Sequence, residues 1–374
     1  LNLSRWRNSK SKRSARPNKF GIPALDILGE QAHAANDKTG RGLRMTATDP
    51  CAQDFVEHTR HMFVDVAQGG AIASGKRPVR RAVFRKAHGI VKGTLSLIAD
   101  RPDWTRKGGF MGDRQFPCWA RFSSDVRPTE PDSANGTIGI GIKLFGAVGT
   151  TLADIDPAAP TMDLVLQNHD VFFVDTGMDM CVFTDLALAG RDEEWFAAHP
   201  ETKRILDEMA KREESVLTAT FWSTLPYRCG PDIAVKYRLR PTSTGPSLAP
   251  DADANRLRTD LRERLRAGPA SFVLELQAPL PGRSLPVDQA TLRWEEADAP
   301  FTPIGTLELH RQDVDEEGQE AYGDNLAFSP WRVPEDNAPL GSIAASRRRA
   351  YPASAAVRHR VNGVPDAEPH GPRI

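Results

Sequence analysis

The hydrophobic pattern changes character several times along the chain. From Asp54 to Gln68 (DFVEHTRHMFVDVAQ) apolar residues recur near helical spacing and predict a short helix. From about Val83 to Phe173 short apolar runs are broken by Gly, Pro and Asp, the texture of strands and turns. Gly190–Ser215 and Asn255–Ala267 are charged and helical in pattern. They are followed by strand-like runs at Ala234–Leu239 and Ser271–Leu276, and Pro303–His310 predicts a further strand. Ser342–Arg360, rich in Ala and Arg, predicts a helix that Pro352 must kink or interrupt. Residues 1–50 are polar, have no sustained period and read as an extended arm. The pattern as a whole is antiparallel β with inserted and flanking helices, an α+β class in which closure into a barrel removes the sheet edges.

With 374 residues, 40% of them hydrophobic, the chain can bury a large core. Lys plus Arg and Asp plus Glu both number 49, so net charge makes no case for nucleic acid. Locally, Arg5, Arg7, Lys10, Lys12, Arg13, Arg16 and Lys19 form a basic arm with no acidic residue, suited to phosphate, lipid, targeting or subunit wrapping. No stretch is apolar enough to span a bilayer. Cys51, Cys118, Cys181 and Cys229 are far apart and include no C-x-x-C pair. They read as buried thiols, and hence as a cytoplasmic protein.

Five segments are candidates for chemistry. In CWARFSSDV (118–126) strand alternation puts Arg121 and Ser123 on one face, where burial would demand an anion and a partner. In IGIGIKLFG (138–146) Gly139 and Gly141 bare one strand face, for a flat cofactor or for close packing by protein. RKAHG (85–89) sets His88 beside a glycine, and LVLQNHDVFFV (164–174) sets Gln167, Asn168 and His169 before an apolar strand. In SRRRAYPASAAVRHRVNG (346–363) Arg347 and Tyr351 are four apart on one helix face, where a guanidinium favours a phenolate, a hard ligand for ferric heme.

Taken in order, these segments resemble the heme catalases. The resemblance rests on R-x-x-H at Arg85–His88, R-F-S at Arg121–Ser123, I-K at Ile142–Lys143, D-L-V at Asp163–Val165 and F-F at Phe172–Phe173. It continues through P-I-G at Pro303–Gly305, A-F-x-P at Ala327–Pro330, R-x-x-x-Y-P at Arg347–Pro352 and R-H-R at Arg358–Arg360, spanning about residues 80–362. FSPWRVPEDNAPLGSI (328–343) resembles a shorter, peroxidase-like branch.

The resemblance implies an eight-stranded antiparallel barrel over residues 61–374, preceded by an arm and short helix over 1–60. It implies heme b with Tyr351 on the iron, Arg347 beside the phenolate, and His88 as the distal base oriented by Ser123. An amide from Asn168 or Gln167 would stand nearby; counting back from Phe172 favours Gln167, and a bulge would favour Asn168. Arg85, Arg121 and Arg360 would meet the heme propionates, and Met180 stands where large catalases stack a Phe. The expected activity is reduction of hydrogen peroxide or organic hydroperoxides, lipid hydroperoxides among them, with an organic electron donor, in a homo-oligomer that binds no nucleic acid. True catalase activity, allene-oxide-synthase-like rearrangement and heme sensing are the alternatives. Ala87 before His88 counts against rearrangement, because those enzymes use a Thr there.

Overall fold

A computed structural model describes residues 49–112 and 114–373. Residues 1–48 of the expected arm lie outside the described residues. The first helix, α1 (Pro50–Arg60), starts at Asp49, whose carboxylate accepts from the Cys51 amide at 2.9 Å. It runs on through a π-helical stretch, His61–Gln68, into α2 (Gly69–Ala73), so the helical run crosses the expected boundary at residue 60.

Four long strands follow: β1 (Lys86–Leu97), β2 (Gln115–Ser124), β3 (Ile138–Phe145) and β4 (Thr161–Gln167). The helices α3 (Gly177–Leu188), α4 (Asp192–Ala198) and α5 (Pro200–Met209) lead to β5 (Phe221–Trp222), β6 (Tyr227–Cys229) and β7 (Ile233–Pro241). Next come α6 (Arg256–Ala267), β8 (Ala270–Gln277), β9 (Phe301–Leu309), α7 (Gln319–Asn325) and α8 (Ser342–Asn362). All pairings are antiparallel. The order β5-β4-β3-β2-β1-β9-β8-β7, together with a β5–β7 pairing, closes an eight-stranded barrel, with β6 as a hairpin partner of β7.

Alternation sorts the two faces of the barrel wall. Ile138, Ile140, Ile142 and Leu144 of β3 join Cys118, Ala120 and Phe122 of β2 and Phe221, Phe272 and Leu274 in the interior. Each such large side chain, fully removed from water, stabilises the fold by about 1.5–3 kcal/mol. The intervening residues, Arg121, Ser123, Gly139 and Gly141, face outward toward α1, α3 and α8. A second apolar cluster, with Phe172, Phe173, Phe183, Trp195 and Ile343, binds α3, α4, α5 and α8 together.

Two expectations are corrected. Cys51 of α1 and Cys181 of α3 form a disulfide with Cα atoms 5.8 Å apart, and only Cys118 and Cys229 remain as buried thiols. The two segments are brought together by the packing of α1 on α3, which residue spacing does not reveal, and the inference of a reducing compartment loses its basis. Among the described residues the cluster with metal-like spacing, Cys51–His58–Cys181, therefore has both sulfurs joined. Secondly, α8 is not interrupted at Pro352; it runs to Gly363, whose φ of 70° ends it. No described helix is long and apolar enough to cross a membrane.

Candidate active site

A cavity of about 290 Å³ lies between the outer face of β2, β3 and β4 and the helices α1, α3 and α8. Most of its lining is apolar, with Phe172, Phe173, Met180, Phe183 and Val165 among the walls. From α8 the cavity receives Arg347 and Tyr351, as the four-residue spacing anticipated, and Arg347 also lies 5.3 Å above the Phe172 ring. From the barrel side it receives Arg85, Arg121, Ser123 and Gln167. Tyr351, Arg347, Arg121, Arg85, Ser123, Gln167 and Met180 are thus brought to one place.

Three expected residues are not. His88 does not line the cavity. It sits at a β-bulge between Ala87 and Gly89, which takes it out of register with β2. The ring is fully buried beside the Lys86–Asp132 ion pair, with Nδ1 3.9 Å from Asp132, and neither ring nitrogen has a hydrogen-bond partner. Burial pushes its pKa down to about 4, so the ring is neutral at pH 7. Ser123, paired with Ala87, makes no hydrogen bond to it.

Asn168 also turns away. Its Oδ1 accepts from the Ile138 amide at 2.9 Å and its Nδ2 donates to Glu213 at 2.8 Å. Arg360 is exposed, because nine residues beyond Tyr351 are about two and a half helical turns, which sends it to the opposite face.

The structure supplies residues that sequence reasoning missed. Arg358, seven residues and about two turns past Tyr351, is buried in the cavity wall. Arg81 joins it, donating to the Leu326 carbonyl at 2.5 Å, and Arg358 donates to the same carbonyl at 3.2 Å. Arg121 reaches the Phe84 carbonyl at 3.3 Å. Asp324 is the carboxylate these guanidinium groups share, 3.6 Å from Arg81 and 3.5 Å from Arg121. Burial lowers the pKa of Arg81, Arg121 and Arg358, the last to about 10, and Arg121 and Arg358 each lower that of Arg81 further. This cationic wall therefore has the electrostatics of an anion site.

The glycine face of β3 is used for close packing by protein. A Cβ on Gly139 would lie 2.8 Å from the Phe84 ring, and one on Gly141 would lie 3.1 Å from Phe328. Phe84 has φ 53°, an uncommon conformation for an aromatic residue, and it forms part of the barrel-side wall. No described histidine lines the cavity.

Several buried polar atoms in this wall have no hydrogen-bond partner: Thr59 Oγ1, Arg121 Nε, Gln167 Nε2, Ser346 Oγ and Arg358 Nε. Such orphaned donors are costly unless a ligand meets them. An apolar slot with cations at its edge and a phenol oxygen on one wall fits a flat, amphipathic dianion such as heme.

Comparisons with known proteins agree with this architecture. No protein-family model matches the chain, and no curated protein matches it in sequence. Among solved structures it is similar to a fungal catalase, with 17% identity, a TM-score of 0.59, and coverage of 97% of this chain and 72% of that one. It is similar to catalase A from Saccharomyces cerevisiae at 16% identity and TM-score 0.59, covering 79% of this chain and 65% of that one. A bacterial catalase gives 16% identity and TM-score 0.60, covering 92% and 69%. The chain thus has a catalase-like fold and spans about two thirds of the length of these structures.

Proposed function

We propose that the cavity would hold heme b, with Tyr351 as the side chain that would ligate its iron, and that the protein is a peroxidase-type oxidoreductase. It would reduce hydrogen peroxide or organic hydroperoxides with an organic electron donor. The observation that carries this reading is the meeting, in one apolar cavity, of Tyr351 and Arg347 on α8 with the cations Arg81, Arg121 and Arg358. Heme, when bound, supplies the redox centre at which a peroxide O–O bond is cleaved.

The chain's own groups have separable tasks. Arg347 and Tyr351, four residues apart on α8, both enter the cavity, so Arg347 would set a positive charge on the wall that carries the phenol. Arg81, Arg121 and Arg358 would pair with the carboxylates of the group, a task the sequence reading gave to Arg85, Arg121 and Arg360. Phe172, Phe173, Phe183 and Met180 exclude water and supply the apolar contact that organic hydroperoxides need. Gln167 Nε2, unpartnered in the wall, would donate to an oxygen-bearing ligand. The absence of an imidazole from the described lining weighs against fast dismutation and supports a second reading, a heme-binding protein with little turnover.

The test is reconstitution of the full chain with hemin. The expected result is a Soret band at one heme per chain that Tyr351→Phe loses or shifts. Hydrogen peroxide should then oxidise a phenolic dye with little oxygen release. A wild-type chain without a Soret band overturns the heme assignment, rapid oxygen release makes the protein a catalase, and a Soret band with no peroxide turnover leaves the binding reading.

A further inference from the structure

Peroxide cleavage needs a group that carries a proton between the two oxygens, and the described cavity lining offers few. It contains no histidine, cysteine, lysine or glutamate. Its titratable side chains other than arginine are Tyr351 and a single carboxylic acid, Asp125. Asp125 follows β2 directly and faces the cavity with Ser123, Phe84, Arg85, Thr137 and Gln167.

We propose that Asp125 is the proton-transfer group of this cavity, in the role that a distal imidazole would otherwise fill. The inference rests on the heme reading above. It is carried by placement, since Asp125 is the one carboxyl in the described wall and lies directly beyond β2, on the barrel side of the cavity that Tyr351 enters from α8.

Its surroundings suit the task. Loss of hydration pushes the acid up to about 7, against bonds from the Thr137 hydroxyl and amide that favour the carboxylate. Arg85 is the charged neighbour that pulls it back down; Arg127 and Glu130 act in turn on Arg85. An acid balanced near neutrality is present in both forms at working pH, the condition for efficient transfer. Asp125 would accept the proton of ROOH and return it to the RO oxygen as the O–O bond breaks, giving ROH. With an organic donor AH₂ the balance is ROOH + AH₂ → ROH + A + H₂O. The donor is oxidised, the peroxide is reduced, and Asp125 ends as it began.

The test compares wild type, Asp125→Asn and Asp125→Glu as hemin-reconstituted full chains. Asparagine keeps the shape but cannot carry the proton, and Asp125→Glu retains the acid. The first readout is the rate of fluoride binding to the ferric protein, followed in the Soret band across neutral pH. The wild-type rate should titrate with a midpoint near 7. Asp125→Asn should flatten that profile, and Asp125→Glu should keep one with a shifted midpoint. The second readout is kcat for peroxide-driven dye oxidation, which should fall about 10²–10⁴-fold in Asp125→Asn with Soret intensity unchanged. An Asp125→Asn protein with full heme and wild-type profiles overturns the proton role alone. A wild-type protein without a Soret band overturns the heme reading and this role with it.

Discussion

Gln167 and Asn168 are adjacent, yet they serve opposite sides of the wall. Gln167 lines the cavity with an unpartnered Nε2, while Asn168 is fully buried between the Ile138 amide and Glu213. The two amides therefore separate function from stability. Asn168→Ala should cost about 1–3 kcal/mol by stranding its buried partners, while heme content per folded chain is retained. Gln167→Leu should leave the melting temperature near wild type and weaken binding of oxygen-bearing ligands. Thermal melts alongside Soret titrations decide this, and the reverse outcome would assign the cavity amide to Asn168.

The helix face of Tyr351 separates two nearby arginines. Arg358→Ala should lower heme affinity at least tenfold, since it removes a buried cation from the wall. Arg360→Ala should leave both heme content and stability within about 0.5 kcal/mol of wild type, as expected for an exposed site. Hemin titration of the two variants checks the pair.

His88 gives the protein an acid-labile element. Its folded pKa of about 4 lies below the ordinary 6.5, so the unfolded chain binds the proton first. The stabilising contribution is complete above 6.5 and is lost as pH falls toward 4, with an upper bound of about 3 kcal/mol. Urea denaturation at several pH values should show that slope. His88→Leu should remove it, and peroxide turnover at neutral pH should persist. A His88→Leu protein that folds normally but loses turnover would return the base role to this ring.

The cysteines should titrate in two pairs. Denatured, unreduced protein should expose two thiols to an alkylating reagent, Cys118 and Cys229, and reduced protein should expose four. The bridge spans a sequence separation of 130, so Cys181→Ser should cost about 2–4 kcal/mol. Four reactive thiols before reduction would show that α1 and α3 are held by packing alone.

Much of the fold was legible because its elements are periodic. The alternation in β3 and the helical spacing of Asn255–Ala267 both correspond to observed elements. Helix α3 was missed because it is apolar on most sides, buried within the helical layer, and so has no amphipathic stripe to read. Two-residue β5 is too short to show a period. In the site, Arg347 and Tyr351 were found because helical spacing is a local property. Arg358 was within reach of the same reasoning, since seven residues return a helix to the same face. His88 could not be placed, because a bulge changes which way a strand side chain points without altering the residue pattern. Arg81 and Asp125 lie just outside strands, where only the assembled wall reveals that they face the cavity.

The barrel is shut by very little backbone. Strand β5 contributes two residues, pairing with β4 through Trp222 opposite Gln167 and with β7 through Phe221 and Trp222. A seam with so few ladder bonds is where the ring opens at least cost. Because that seam abuts Gln167, partial unzipping of β5 would loosen the cavity wall before the rest of the barrel yields. Large planar guests would then exchange on the timescale of local unfolding, and slow release of a tightly held group would be a property of the closure strand rather than of the contacts inside.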